Sequence, residues 1–167
     1  MNLRLLFCLL LLSFSSQIDA QADHTETEDH HDHEGHHHHK NEFGIANALV
    51  YFVKEETFSY GLHLHYIRTI SDSKFGLGAG FERIFDEHGH NTFGVIGSYR
   101  PIEPLTLILS PGLTVEDENS GEANFALHVE AAYEFEFKNI HLGPVIEFAY
   151  DPEDFHISLG IHIGYGF

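Results

Sequence analysis

The chain has 167 residues, the size of one domain, and hydrophobic residues make up 43% of it, which excludes a wholly unfolded polymer. Lys and Arg number 8 against 26 Asp and Glu, a formal net charge of −18, which argues against a nucleic-acid partner because such binding neutralises phosphates. The 15 Phe, 7 Tyr and 15 Gly favour strands over helices, and a single Cys excludes an intrachain disulfide framework or a multi-cysteine zinc site.

Residues 1–20 are expected to be a secretory signal peptide. Arg4 and the amino terminus precede an apolar run over residues 5–12, shorter than the roughly 20 residues that span a bilayer. Small and polar residues follow, ending in Asp19-Ala20, where cleavage is expected to within a few residues because Ile18 is not small. Cys8 lies ahead of most of the apolar run, whereas a lipidation cysteine follows it. A mature chain cut there has no cysteine and suits an oxidising compartment.

Residues 21–41 form a polar segment carrying His24, His30, His31, His33, His36, His37, His38 and His39, interleaved with Asp23, Glu26, Glu28, Asp29, Asp32 and Glu34. Nothing from Gln21 to Lys40 is large and apolar, so a disordered tail is expected. Imidazole and carboxylate ligands suit Zn, Ni or Cu ions, and closely spaced imidazoles on a flexible chain supply several ligands to one ion. Binding should weaken below about pH 6, since the ligand is neutral imidazole with an ordinary pKa of about 6.5. The alternatives are a solvated spacer or a purification tag, the latter disfavoured by the interleaved acids.

From residue 42 to 167 the pattern alternates with period two. The first strand, about 42–53, is apolar on both faces and its orientation stays open. Phe58, Tyr60, Leu62, Leu64 and Tyr66 then oppose Ser59, Gly61, His63 and His65, and Phe75, Leu77, Ala79 and Phe81 oppose Gly76, Gly78, Gly80 and Glu82. Similar runs start at Phe93, Leu105, Phe125 and Ile140, and the last sets Phe155, Ile157, Leu159, Ile161, Ile163, Tyr165 and Phe167 against His156, Ser158, Gly160, His162, Gly164 and Gly166. Turn-like separators lie at 54–56, 71–73, 86–91, 101–104, 116–121, 138–139 and 151–154, giving eight strands, an even number that closes a barrel without free edges.

A soluble barrel turns its apolar face inward. Three features favour the reverse, a barrel in lipid. The polar face is rich in Gly, Ser and His but almost without Lys; Phe and Tyr recur at strand ends on the apolar face, as in interfacial girdles; and the chain finishes in a strand on Phe167.

The strand pattern of residues 42–167 and the GIHIGYGF ending resemble small eight-stranded outer-membrane β-barrels of the OmpA-transmembrane-domain or OmpX type. The resemblance implies an all-β, antiparallel up-and-down transmembrane barrel in the outer membrane of a Gram-negative bacterium. It further implies outer-membrane lipid around the barrel, insertion by the barrel assembly machinery, and both termini, with the tail, in the periplasm. The loops 54–56, 86–91, 116–121 and 151–154 would face outside, and their shortness disfavours an adhesin.

On the polar face fall His63, His65, His128, His141, His156 and His162 with Glu82, Glu130, Glu134, Glu136, Glu147 and Arg100, while His88 and His90 are expected in a loop. Such groups either form a satisfied network or hold a metal. His63 and His65, two apart on a strand, are expected to share a site with Glu82, and His141 with His162 to pass an ion to or from the tail. The expected function is therefore non-enzymatic binding or handing over of transition-metal ions; the alternative is a structural barrel with incidental metal affinity. From another class comes a hydrolase: lipid A deacylases place His and Ser two apart on a strand with an acid, matched here by His156, Ser158 and Glu147. Leu159 stands where that family has Asn, and both residues fall on the lumen face.

Overall fold

The computed structural model describes residues 39–117, 121–152 and 154–167. The expected signal peptide and His24, His30, His31, His33, His36, His37 and His38 lie outside the described residues; His39 lies within them.

The strands in chain order are β1 (Asn41–Phe52), β2 (Thr57–Thr69), β3 (Phe75–Phe85), β4 (His90–Ile102), β5 (Leu105–Glu116), β6 (Asn124–Tyr133), β7 (Phe135–Phe137), β8 (Ile140–Tyr150) and β9 (Phe155–Gly166). Strands β6 and β7 are two parts of one wall strand, since both pair antiparallel with β8. The break falls at Glu134, whose N–H turns to the carbonyl of Pro104 at 2.7 Å and whose side chain is buried. Counted this way the wall has eight strands; each pairs antiparallel with its sequence neighbour, and β9 returns to β1. The barrel is closed.

Alternation sorts the residues as period two requires. Glu, His, Ser, Thr and Gly point inward, and large apolar groups point out: Leu49, Val95 and Leu159 are each more than half exposed, while His63, His65, His128, His141, His156 and His162 are buried. In water such a surface would drive aggregation; in hydrocarbon it is the required one. Twelve residues such as β1 reach about 40 Å, and a tilt near 45° turns that into roughly 28 Å, the thickness of a bilayer core.

Two aromatic belts mark the ends. At the terminal end, where Asn41 and Phe167 lie, Phe43 packs on Tyr66 and Phe167 with ring centroids 5.1 and 5.6 Å apart, and Phe75 on Tyr99 at 4.8 Å. At the opposite, loop end, Tyr51 meets Phe58 at 4.8 Å and Tyr60 meets Phe85 at 5.6 Å.

Two sequence expectations change. The separator expected at 86–91 is shorter, and His90 and Asn91 belong to β4. The Asp86 carboxylate accepts the N–H groups of Gly89 and His90 at 2.7 and 3.3 Å, and Gly89 takes φ 69°, so the chain reverses early and His90 points inward, buried. Strand β1 also gains an orientation: Glu42, Ala46, Val50 and Phe52 face the lumen, and Phe43, Leu49 and Tyr51 face out. Composition could not orient it because its inward residues join lumenal apolar clusters, Ala46 with Ala132 and Val145, and Val50 with Phe52 and Ile84.

Candidate functional site

The lumen holds a column of imidazoles and carboxylates that begins at the terminal end. There the donor atoms of His39, Glu136 and His141 lie within 4.8 Å of one another. The His39 ring is held by a hydrogen bond of 3.3 Å between Nε2 and the Lys138 carbonyl. A cavity of about 20 Å³ opens here, lined by His39, Arg100, Glu103, Glu134, Glu136 and His141.

One level deeper, Glu42 is a hub. Its carboxylate pairs with Arg100, with His141 Nδ1 at 3.1 Å and with His65 Nε2 at 3.7 Å. Glu134 takes a hydrogen bond from Thr106 Oγ1 at 2.6 Å and lies 2.8 Å from His162 Nδ1 and 3.9 Å from His141 Nδ1. His65 and His162 stack face to face, centroids 5.0 Å apart and 12° from parallel. Gly44 makes room for that stack, since a Cβ there would overlap His65 Nε2 and come within 2.5 Å of His162 Nε2.

At mid-height His63, its ring 5.4 Å from His65, meets the Glu130 carboxylate at 3.2 Å. Above it Glu82 from β3, His128 from β6, Glu147 from β8 and His156 from β9 converge, all buried, with donor atoms within 4.8 Å of one another. The column is then interrupted by Val50, Phe52 and Ile84. The Phe52 ring stands between His156 and His90, with centroids 5.3 and 5.5 Å away. Beyond it His90 pairs with Asp86 at 2.7 Å and Glu116 at 3.6 Å, on the wall of a vestibule of about 520 Å³.

The expected grouping of His63, His65 and Glu82 is not what the lumen builds. His63 and Glu82 are cross-strand partners in register, but His63 turns to Glu130, His65 to Glu42 and His162, and Glu82 to His128 at 3.5 Å. Across a narrow lumen the opposite wall is as near as the next strand. His141 and His162 are linked as the spacing suggested, through their shared carboxylate Glu134. Sequence reasoning missed Glu42, whose strand it could not orient, and His90, whose inward alternation with Thr92 and Gly94 was the available signal.

The deacylase-like set also sits in this column. His156 and Ser158 are buried, neither ring nitrogen of His156 nor the Ser158 Oγ makes a hydrogen bond, and Glu147 accepts from His128 instead. A serine nucleophile needs a base in hydrogen-bond reach and a path to its substrate; here the bond is missing and the hydroxyl faces away from lipid.

Charge is the column's main demand. Glu42, Glu82, Glu130, Glu134 and Glu147 are buried, and among the described residues Arg100 is the Lys or Arg that pairs with them, at Glu42. Buried carboxylates keep their charge only when compensated, so the rest are balanced by imidazolium or a bound cation, or else take up a proton.

An apolar exterior, aromatic belts and a filled polar interior define a transmembrane β-barrel. No protein-family model and no curated protein matches the chain. Solved structures do. A de novo designed transmembrane β-barrel aligns with TM-score 0.54 at 14% identity, covering 74% of this chain and 94% of that one. Neisserial surface protein A (NspA) aligns with TM-score 0.53 at 12% identity, over 76% of this chain and 96% of NspA. The N-terminal β-barrel domain of Pseudomonas aeruginosa OprF gives 0.50 at 17% identity, over 77% of this chain and 99% of that domain. At these identities the likeness is one of fold: the architecture is that of the small eight-stranded outer-membrane β-barrels.

Proposed function

We propose that this barrel resides in the outer membrane of a Gram-negative bacterium, surrounded by outer-membrane lipid and inserted by the barrel assembly machinery. Its His-rich segment 21–40 lies on the periplasmic side and, with the barrel mouth, binds divalent transition-metal ions such as Zn²⁺, Ni²⁺ or Cu²⁺ and hands them on. The observation that carries this reading is the meeting of His39, the last tail histidine, with Glu136 and His141 at the mouth of the lumen. There a loosely held ion from the tail can exchange onto barrel ligands, and the donors suit borderline metals. Flexible capture gives labile binding, because ordering the segment costs entropy, and lability is what handing over requires. A structural role with incidental metal affinity is supported by the buried apolar cluster of Val50, Phe52 and Ile84, which interrupts the polar column in the lumen.

The test is calorimetric titration of the folded, detergent-purified chain with each metal, beside a variant with every tail histidine from His24 to His39 changed to Ala, together with growth under metal excess and starvation. Fewer ions bound per chain in the variant, with altered metal tolerance, supports the reading. Unchanged tolerance and uptake after removal of residues 23–39 would leave the structural barrel.

A further inference from the structure

We propose that Glu82, His128, Glu147 and His156 form a buried four-coordinate Zn²⁺ site inside the barrel. The proposal rests on the metal-handling reading for its biological sense, but none of its donors lies in the tail.

The donor chemistry fits one divalent ion. Two imidazoles and two carboxylates make a complete tetrahedral set of N and O ligands, and two carboxylates bring the two negative charges that the ion cancels. The four donors lie within 4.8 Å of one another. Metal–ligand distances of about 2.0–2.2 Å imply donors roughly 3.3 Å apart, so the set has to close by about 1.5 Å at most. Among the described residues the other metal-competent groups offer three donors each.

Independent observations mark the place as built for a cation. Glu82 and Glu147 come from β3 and β8, which face one another across the ring of eight strands, so opposite walls deliver two carboxylates to one buried point. Like charges held this close in a site excluded from water repel unless something positive stands between them or one carboxyl takes a proton. His128 offers one compensating partner, 3.1 Å from Glu147 and 3.5 Å from Glu82. His156 is 4% exposed, and neither of its nitrogens has a hydrogen-bond partner; Glu82 Oε2 lacks one too. A buried imidazole with both nitrogens unbonded bears its desolvation cost uncompensated, and a metal bond would offset it. A void of about 10 Å³ lies beside the two carboxylates, lined by Glu82 and Glu147 but by neither His128 nor His156. The wall above is Phe52, in ring contact with His156 at 5.3 Å, and the imidazole column lies on the other side, toward the terminal end.

Bound there, Zn²⁺ would tie β3 to β6, β8 and β9. It would act as an internal cross-brace and as the deep end of the path that starts at His39.

The experiment uses the full mature chain with the tail histidines His24, His30, His31, His33, His36, His37, His38 and His39 all changed to Ala. After Zn²⁺ loading and a chelator wash, bound metal is counted by mass spectrometry, and Co²⁺ is loaded in parallel for its visible spectrum. The expected result is one tightly held Zn²⁺ per chain and the intense absorption of tetrahedral Co²⁺. Glu82→Gln and His156→Ala, each added to that chain, should weaken binding at least tenfold and remove the Co²⁺ band, while His63→Ala, which removes a ring bonded to Glu130, should keep it. Folding of each variant is checked by its heat-dependent gel mobility, and the isosteric Glu82→Gln guards against a misfolded histidine variant. A folded chain without tail histidines that holds no metal overturns the lumenal site and leaves the tail reading standing. Binding that persists equally in Glu82→Gln and His156→Ala overturns it as well. A wild-type chain that binds nothing removes both.

Discussion

Replacing Leu109 by Arg separates a barrel in lipid from a barrel in water. Leu109 lies midway along β5, opposite Gly97 on one side and Val129 on the other, and is 52% exposed on the outer face. On a solvated surface such a change costs about 0.5 kcal/mol or less. At the midplane of a bilayer an arginine on the outer face of a β-barrel costs about 2–4 kcal/mol, falling to about 0–1 near the interface. Ile140, exposed at the first residue of β8, supplies the shallow comparison. With an m-value of about 4 kcal/mol/M in guanidinium, a 3 kcal/mol loss lowers the unfolding midpoint by about 0.7 M. Reversible unfolding in lipid vesicles, followed by far-ultraviolet circular dichroism because the chain has no Trp to report by fluorescence, reads both variants. Leu109→Arg should shift the midpoint several times further than Ile140→Arg. Equal shifts, or shifts within about 0.1 M of the parent, would refute the placement of this face in hydrocarbon.

Glu42→Ala should destabilise the barrel by about 3–5 kcal/mol, because Arg100 and His141 would lose their shared buried partner; adding Arg100→Ala should recover part of that loss, and a purely additive pair would contradict the hub. Gly44→Ala should push His65 off His162 and broaden or shift both imidazole signals in NMR spectra, and unchanged signals would show that the space is not needed. Hydrogen bonds from Arg83 and Asn91 hold the Asp117 carboxyl below its ordinary range. A lowered folded value means the contact stabilises above the ordinary carboxylate pKa and is lost as pH falls through the folded one, so an NMR titration should find Asp117 titrating below about 3.9, and Arg83→Ala should return it upward. Overexpression should leave lipid A acylation unchanged by mass spectrometry; deacylation abolished by Ser158→Ala would reinstate the hydrolase.

The wall was legible because one rule governs it: period two decides inside from outside, and residues such as Leu159 against Ser158 obey it without help from distant contacts. The rule fails where both faces of a strand are apolar, as in β1, since Phe52 seals the lumen while Tyr51 faces out. It also fails at turns whose composition mimics a loop: Asp86 to His90 looks unstructured until the Asp86 carboxylate is seen gathering the turn. The lumenal groupings were least legible. His63 and Glu130 are 67 positions apart and meet across the bore, a distance fixed by the barrel's tilt and stagger rather than by any spacing along the chain.

Every neighbouring pair in the wall is a local hairpin except the seam between β1 and β9, where Asn41 and Phe167 meet from 126 positions apart. Closing that contact costs about 2 kcal/mol more chain entropy than closing a hairpin a tenth as long. Folding order follows. The hairpins can form early, but the sheet keeps two bare edges until the final strand returns, and until then β1 and β9 each present unpaired backbone to any partner of matching register. The residues that complete the molecule are thus the ones most exposed to mispairing before it is complete, and the rate of sealing that seam sets how long the hazard lasts.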